Sequence, residues 1–281
     1  MTTPREPDGA ARSFSPSGTP LLSFPALARP HPTLATPAGA VAVQLTPRDR
    51  AVLQDVYRFS CLSAVQIARR HWPDSLGQKT AMNRLRQLTV GQYLTRRSLG
   101  DKQDGAWLLG NKGRAELGLS TRSKRPIPAS GASLRHRLIV ADVADWLCAR
   151  SHPGGEPEWL SEVDLLDGAL RLPRRPAEGR RGGDRGRGRL MVPDGVLRLQ
   201  GGERVWRLAV EVELHRKASV LYEDKAAWYG YQFAAGALDG CLWLCAGEGR
   251  VAPIRAAARR VAPNTADLVG AEPLPEGVTA Y

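Results

Sequence analysis

Two acidic side chains on one predicted strand are the residues of this sequence best suited to chemistry. The segment 207–215 alternates apolar and polar residues, which places Glu211 and Glu213 on one face of a β-strand. A central strand of an α/β sheet is usually apolar on both faces, so two carboxylates there are costly unless they are solvated, paired or bound to a cation. Asp194 begins an upstream strand that could pair beside this one. The sequence therefore predicts that Asp194 and Glu211 form a pair of oxygen ligands suited to Mg²⁺.

Magnesium held in this way would support hydrolysis of a phosphodiester. The cation stabilises charge on the phosphoryl oxygens and lowers the pKa of an attacking water. The rest of the sequence must then provide a surface that binds the DNA and a scaffold that positions these residues.

Composition favours a nucleic-acid partner. The chain has 281 residues, which suggests about two domains, and its 40 Lys and Arg against 28 Asp and Glu give a net charge of +12. A strongly basic protein usually binds a polyanion, most often nucleic acid. No apolar run approaches the ~18 residues that cross a bilayer, and no basic-then-apolar leader begins the chain. We therefore expect a cytoplasmic protein without membrane contact, whose four cysteines are reduced and buried.

The basic charge is concentrated in the front half of the chain. Residues 1–44 contain eight prolines and are predicted to be disordered. Residues 45–125 contain 16 basic and 6 acidic residues, a net of +10, whereas residues 126–281 contain 21 and 20, a net of +1. The arginine-glycine segment 171–189 contributes eight basic residues to the second half and is predicted to be a mobile loop.

Residues 45–120 have the element order of a winged helix-turn-helix. Thr46 and Pro47 predict the start of a first helix, and Ser63 predicts the N-cap of a second over 64–71. A third helix is predicted over 78–90. Strands over 93–99 and 106–109 would form a hairpin, and a short helix over 111–118 would follow. In a winged helix-turn-helix the third helix enters the major groove and the hairpin contacts the DNA backbone.

The predicted DNA contacts lie on the outer face of that third helix and on the hairpin. Asparagine, glutamine and arginine can pair with base edges, and lysine and arginine can contact phosphates. The predicted contact residues are Lys79, Thr80, Asn83, Arg86, Gln87, Arg96, Arg97 and Lys102. The alternative interpretation is that these are solvated charges on an ordinary helical module, or that the module docks a protein.

The second half of the chain alternates strands and helices. A basic linker over 121–131 precedes a long helix over 132–150. The predicted strands are 159–166, 191–199, 204–215 and 240–246, and the predicted helices are 219–236 and 252–260. This alternation is typical of a mixed α/β sheet, so the fold class is α/β with several domains. The second domain is predicted to span 132–270, with a tail over 271–281.

Several short motifs together resemble a known family. They are LTPRDR at 45–50, LRHRL at 134–138, WLSE at 159–162, VPDGV at 192–196, EVELHRK at 211–217, and Tyr222, Lys225 and Tyr229. Their order over roughly residues 45–260 resembles the replication-relaxation family of bacterial plasmids and integrative elements. The pair Pro193-Asp194 followed by Glu211 and Glu213 also resembles the PD-(D/E)xK core of restriction-type endonucleases.

The resemblance implies a catalytic set and one departure from the nuclease pattern. The usual lysine two residues after the acid is absent, because position 213 is Glu. Lys217 or Lys225 would then stabilise the phosphoryl charge, with Asp194 and Glu211 as Mg²⁺ ligands and Glu213 as ligand or base. Glu162 would supply a further acid.

Two functions remain open at this point. The first is a DNA-binding protein of a mobile element that nicks or cleaves duplex DNA with Mg²⁺. The second is a non-catalytic regulator or accessory factor whose nuclease-like domain serves oligomerisation or docking. In that case the two glutamates would lie on a solvated edge strand and His136 would be a packed helix residue. The candidate protein partners are a relaxase, a replication initiator and a second copy of the chain.

Overall fold

The computed structural model describes residues 43–74, 77–100, 105–119, 130–150, 156–174 and 191–278. The predicted disordered segment up to residue 42, the linker up to residue 129, the arginine-glycine loop from residue 175 and Lys102 lie outside the described residues. The α-helices are α1 (Pro47–Arg58), α2 (Ala64–His71), α3 (Gly77–Val90), α4 (Asn111–Glu116), α5 (Gly131–Cys148), α6 (Glu162–Leu166), α7 (Ser219–Ala234) and α8 (Val251–Val261).

Local capping residues set where the first helices begin. The side chain of Thr46 accepts a hydrogen bond from the backbone of Asp49, whose side chain in turn accepts from the backbone of Thr46. Ser63 and Gln66 form the same reciprocal pair at the start of α2. Each pair satisfies two backbone N–H groups that a helix start leaves free. The predicted starts of both helices are therefore confirmed.

A small antiparallel sheet closes the front part of the chain. Its strands are β1 (Leu62–Ser63), β2 (Leu94–Ser98) and β3 (Gly105–Leu109), in the order β1-β3-β2. The predicted pairing of the two longer strands is confirmed, with a register that runs from Leu94 opposite Leu109 to Ser98 opposite Gly105. The structure adds β1, which is too short for its alternation to predict a strand.

A five-stranded mixed sheet forms the rear part. Its strands are β4 (Pro157–Ser161), β5 (Gly195–Gly201), β6 (Arg204–Glu213), β7 (Gly240–Cys245) and β8 (Val269–Pro273), in that order across the sheet. The pairs from β4 to β6 are antiparallel, and those from β6 to β8 are parallel. The mixed α/β class predicted for this part is confirmed.

Three boundaries differ from the prediction. The strand predicted over 191–199 begins at Gly195, after Pro193, which has no backbone N–H to donate to a sheet. The strand predicted over 159–166 ends at Ser161, because Ser161 and Asp164 form a capping box that begins α6 at Glu162. The sheet also continues past the predicted domain end at residue 270, because β8 pairs with β7 as far as Pro273. The segment 269–273 contains one glycine, one glutamate and one proline, so its composition does not resemble a strand.

The helix α5 joins the front and rear parts. Its residues Leu134 and Leu138 pack with Leu99, Ala106 and Leu108 of the front part in one buried cluster. The opposite residues of α5 belong to a larger core, which includes side chains of α1 to α3 and of the rear strands β4 to β7. The described residues between 43 and 278 form one compact unit.

Charged groups reinforce the contact between α2 and α5. Arg69 lies 2.7 Å from Asp142, and Arg70 lies 2.7 Å from Asp145. Gln66, which is fully buried, donates to the carbonyl oxygen of Leu138 at 2.7 Å. The front part is thus fixed to α5 by both apolar packing and polar contacts. Among the described residues, no helix is both long and apolar enough to span a bilayer.

Candidate functional site

The two predicted acids lie on the middle strand of the rear sheet and are buried. Glu211 and Glu213 are each 2 % exposed, and β6 has neighbours on both sides. The interpretation that they lie on a solvated edge strand is therefore wrong. Both side chains point to the side of the sheet covered by α7. Val210 and Val212, which alternate with them along β6, point to the opposite side and pack with α5. Buried carboxylates of this kind need partners.

Glu211 has two partners on α7. Its Oε2 lies 2.5 Å from Nζ of Lys225, and its Oε1 accepts a hydrogen bond from the hydroxyl of Tyr229. The two partners are four residues apart, one turn of a helix, so they present neighbouring groups to the same carboxylate. Burial and the nearby Asp194 charge raise the pKa of Glu211 to about 7, against the opposing charge of Lys225.

Asp194 lies beside Glu211 in the sheet. Gly195 pairs with Val210, so the next position along each strand places Asp194 opposite Glu211. The side chain of Asp194 accepts a hydrogen bond from the backbone N–H of Val212 at 2.9 Å. Gly195 is needed here, because a Cβ at this position would lie 2.0 Å from the ring of Trp159.

His136 of α5 completes the environment of Asp194. Its Nε2 lies 3.3 Å from Oδ2 of Asp194 and 3.1 Å from the carbonyl oxygen of Val212. Burial alone would lower the pKa of His136, but the facing Asp194 carboxylate raises it above its usual value. Although burial opposes ionisation of Asp194, the charges of His136 and Lys225 hold its pKa well below the usual range.

The remaining predicted acids and lysine form separate pairs near this centre. Oε2 of Glu213 lies 2.7 Å from Nζ of Lys217, an ion pair whose angles do not satisfy hydrogen-bond geometry. Glu162 forms an ion pair with Arg137, which follows His136 on α5. The structure thus brings Asp194, Glu211 and Lys225 together and places Glu213 with Lys217 at the end of β6.

The centre has the donor chemistry for a hard divalent cation. The described residues contain no group of three or more His, Cys, Asp or Glu side chains placed to hold a metal. Magnesium, however, commonly takes one or two carboxylates and completes its shell with water and substrate phosphate oxygens. Asp194 and Glu211 would supply those two carboxylates. The side chains of Asp194 and Lys225 are 17 % and 23 % exposed, so solvent reaches the centre.

The predicted DNA-contact residues of α3 are all exposed. Lys79, Thr80, Asn83, Arg86 and Gln87 lie on its outer face, while Ala81, Leu85 and Leu88 are buried. On β2, Arg97 is exposed, and the guanidinium of Arg96 lies 5.4 Å from the ring centre of Trp107. All of these positions are polar and exposed on the front part.

Three residues of structural importance lie outside the predicted set. Arg84 forms an ion pair at 2.6 Å with Asp49, which is 1 % exposed, and so fixes α3 to the start of α1. His136 and Tyr229 contact the two carboxylates of the rear site. The spacing of Tyr229 places it on the same face of α7 as Lys225, but neither residue was predicted to be part of the site. For His136, the sequence signal was its position between two arginines in the motif LRHRL.

The raised pKa of Glu211 predicts a specific pH dependence of stability. A carboxyl whose pKa is about 7 when folded and 4.5 when unfolded stabilises the fold at low pH, and this contribution is lost as pH rises through that window. The raised pKa of His136 acts in the same direction. We expect the free energy of unfolding of Glu211→Gln to rise relative to the wild type between about pH 5 and pH 8. Urea titrations at several pH values measure this, and a pH-independent difference would contradict it.

Comparison with known proteins identifies the family. A family model described as Replication-relaxation matches residues 53–236, which is more than half of the chain and includes α3, α5, β4 to β6 and α7. No curated protein and no solved structure matches the chain. The matched region contains every described residue of the rear site. This chain belongs to the replication-relaxation family.

Proposed function

We propose that this protein binds duplex DNA of a bacterial mobile element through its front part and cleaves or nicks it at the rear site with Mg²⁺. The observation that carries the proposal is the meeting of Asp194, Glu211 and Lys225 at one solvent-reachable centre. Two carboxylates with one ammonium group suit a cation and a phosphate at the same time. The family's name, which refers to replication and relaxation, supports a role on such DNA.

The front part supports a winged-helix reader. Three helices precede an antiparallel hairpin, and the third helix exposes the side chains that suit base edges and phosphates. In such modules this helix lies in the major groove and the hairpin contacts the backbone. Asn83 and Gln87 would read adenine, Arg86 would read guanine, and Arg97 would contact phosphate.

The chain's own residues can perform the steps that surround the chemistry. A bound Mg²⁺ would stabilise the phosphoryl charge and lower the pKa of water. Asp194 and Glu211 would hold that ion, and His136 keeps Asp194 in place through Nε2. Lys225, whose pKa burial lowers but the charges of Glu211 and Asp194 raise above its usual value, stays protonated. Its ammonium group would stabilise the negative charge of the phosphate.

Removing one base-reading or phosphate-contacting residue should weaken DNA binding in a defined way. If about five phosphates are contacted, the slope of log affinity against log salt should be about −4 to −5. We expect Arg86→Ala to weaken duplex binding and Arg97→Ala to reduce the magnitude of the slope by about 1. Fluorescence anisotropy at several salt concentrations measures both quantities.

A matched control separates a specific contact from a general loss of charge. Arg259→Ala removes one exposed arginine from α8, in the rear part. This variant should bind with the affinity and slope of the wild type. Equal losses in Arg86→Ala and Arg259→Ala would place the DNA elsewhere on the surface.

One observation favours a second, non-catalytic function. Each carboxylate of the rear site already has protein partners, because Lys225 and Tyr229 satisfy Glu211 while His136 and Val212 satisfy Asp194. Such a network can serve as a polar core that needs no cation. The rear part would then dock a protein such as a relaxase or replication initiator, or a second copy of the chain. Supercoiled plasmid incubated with and without Mg²⁺ distinguishes the two functions, since only the first predicts nicking.

A further inference from the structure

The segment that follows β6 is exposed over seven successive residues. It runs from His215 to Leu221 and crosses into the first turn of α7. Val220 and Leu221 are 53 % and 51 % exposed, so two large apolar side chains stand next to each other in solvent. Single exposed apolar residues are common, whereas contiguous exposed apolar surface often marks an interaction site.

The segment is attached directly to the candidate site at both ends. At its start, the Glu213–Lys217 ion pair links it to β6. At its end, Leu221 precedes Lys225 by four residues, so the two side chains share one face of α7. The hydroxyl of Tyr222 accepts a hydrogen bond from the backbone N–H of Lys217 at 3.0 Å, which fixes the turn between strand and helix. Leu221 therefore lies beside Lys225 at the edge of the site, and Val220 precedes it in the first turn of α7.

The charges of the segment match a nucleic-acid strand. Arg216 and Lys217 are adjacent and exposed, and His215 precedes them. Basic side chains that flank apolar ones form the combination that holds a backbone while an apolar side chain contacts an unstacked base. A protein partner of the same shape would need an acidic and apolar surface, whereas the neighbouring carboxylate-lysine centre suits a phosphodiester.

We propose that the segment His215–Leu221, which we call the strand-contact edge, binds DNA whose bases are unpaired at the candidate site. Val220 and Leu221 contact the exposed base faces, and Arg216 contacts the adjacent phosphate. The proposal rests on the proposed function, because it assigns the form of DNA that the rear site accepts. It adds a preference for locally melted or single-stranded DNA, of the kind found in negatively supercoiled molecules.

The test compares two duplexes of one sequence, of which one carries about six central unpaired nucleotides. Anisotropy is measured with the full chain in EDTA, so that no cleavage takes place. We expect the wild type to bind the partly unpaired duplex about tenfold more tightly than the paired one. The double variant Val220→Ser/Leu221→Ser should bind both equally. Leu268→Ser removes another exposed leucine, from the position just before β8, and should retain the wild-type ratio.

A second readout reports on the bases themselves. A 2-aminopurine in the unpaired region should change its fluorescence on binding wild type and Leu268→Ser, and not on binding the double variant. An equal affinity of the wild type for both duplexes, or an unchanged ratio in the double variant, would overturn the proposal.

The two proposals fail in different ways. Tight binding to paired DNA is assigned to the front part. If the wild type binds the paired duplex tightly and binds the partly unpaired duplex with the same affinity, only the strand-contact edge is overturned. If the wild type did not bind the paired duplex, but bound the partly unpaired duplex in a way that requires Val220 and Leu221, the proposed DNA reader in the front part would be overturned. The strand-contact edge would then be supported.

Discussion

Replacing Asp194 and Glu211 together with alanine is expected to lower Mg²⁺-dependent nicking of supercoiled plasmid at least about 100-fold. The reason is that the variant loses both carboxylates that would hold the cation, so the stabilisation that the cation would give the phosphoryl charge in the transition state is lost and only Lys225 remains. Gel separation of supercoiled and relaxed plasmid over time measures the rate. Binding of paired duplex should stay unchanged, because the front part is untouched.

A charge-matched variant serves as the control for this result. Asp267→Ala/Glu276→Ala also removes two carboxylates, from exposed positions of the rear part. It should nick at the wild-type rate. Retained nicking by the Asp194→Ala/Glu211→Ala variant would remove these residues from the reaction and leave the second, docking function as the better explanation of the network.

Leu138→Ala is expected to destabilise the whole described unit by about 2–5 kcal/mol. Leu138 is fully buried in α5, where it packs against Leu108 and Leu99 of the front part. Because α5 also packs against the rear sheet, the front and rear parts should lose stability together. Hydrogen exchange with mass spectrometry, carried out at several urea concentrations, measures the loss of stability separately for peptides of α3 and of β6.

The surface leucine of α6 provides the comparison. Leu166 is 42 % exposed, so Leu166→Ala should change the free energy of unfolding by no more than about 0.5 kcal/mol. If Leu138→Ala weakened the protection of α3 against hydrogen exchange while β6 kept its wild-type protection, the front and rear parts would be independent domains. The shared core would then not couple their stabilities.

The front part was predictable from sequence because its signals are local. The caps Thr46 and Ser63, and the apolar spacing in α3, lie within one or two turns of the structure that they determine. The strand predicted over 159–166 was too long, because the apolar run hid the Ser161–Asp164 capping box. The strand β8 escaped prediction because its pairing with β7, rather than its composition, holds it in place.

The site was predictable only as far as its carboxylates. Alternation along β6 placed Glu211 and Glu213 on one face, and the register of β5 brings Asp194 beside them. Which lysine would face Glu211 was open, because Lys217 and Lys225 both lie within reach along the sequence. The packing of α7 on the sheet decides this in favour of Lys225. The approach of His136 depends on contacts between residues 76 apart in the chain, and sequence spacing does not reveal them.

DNA held by the front part should pass beside a cation that is held by Asp194 and Glu211. Loading the protein with Fe²⁺ in place of Mg²⁺, on a DNA fragment containing its binding site, and adding hydrogen peroxide with ascorbate tests this. The iron reduces the peroxide to hydroxide and a hydroxyl radical, which cuts the DNA nearest the ion, and ascorbate returns the iron to Fe²⁺. We expect cuts confined to a few nucleotides at a fixed distance from the footprint of the front part, and we expect these cuts to be absent in Asp194→Ala/Glu211→Ala. Uniform cutting, or localised cutting that survives in that variant, would contradict it.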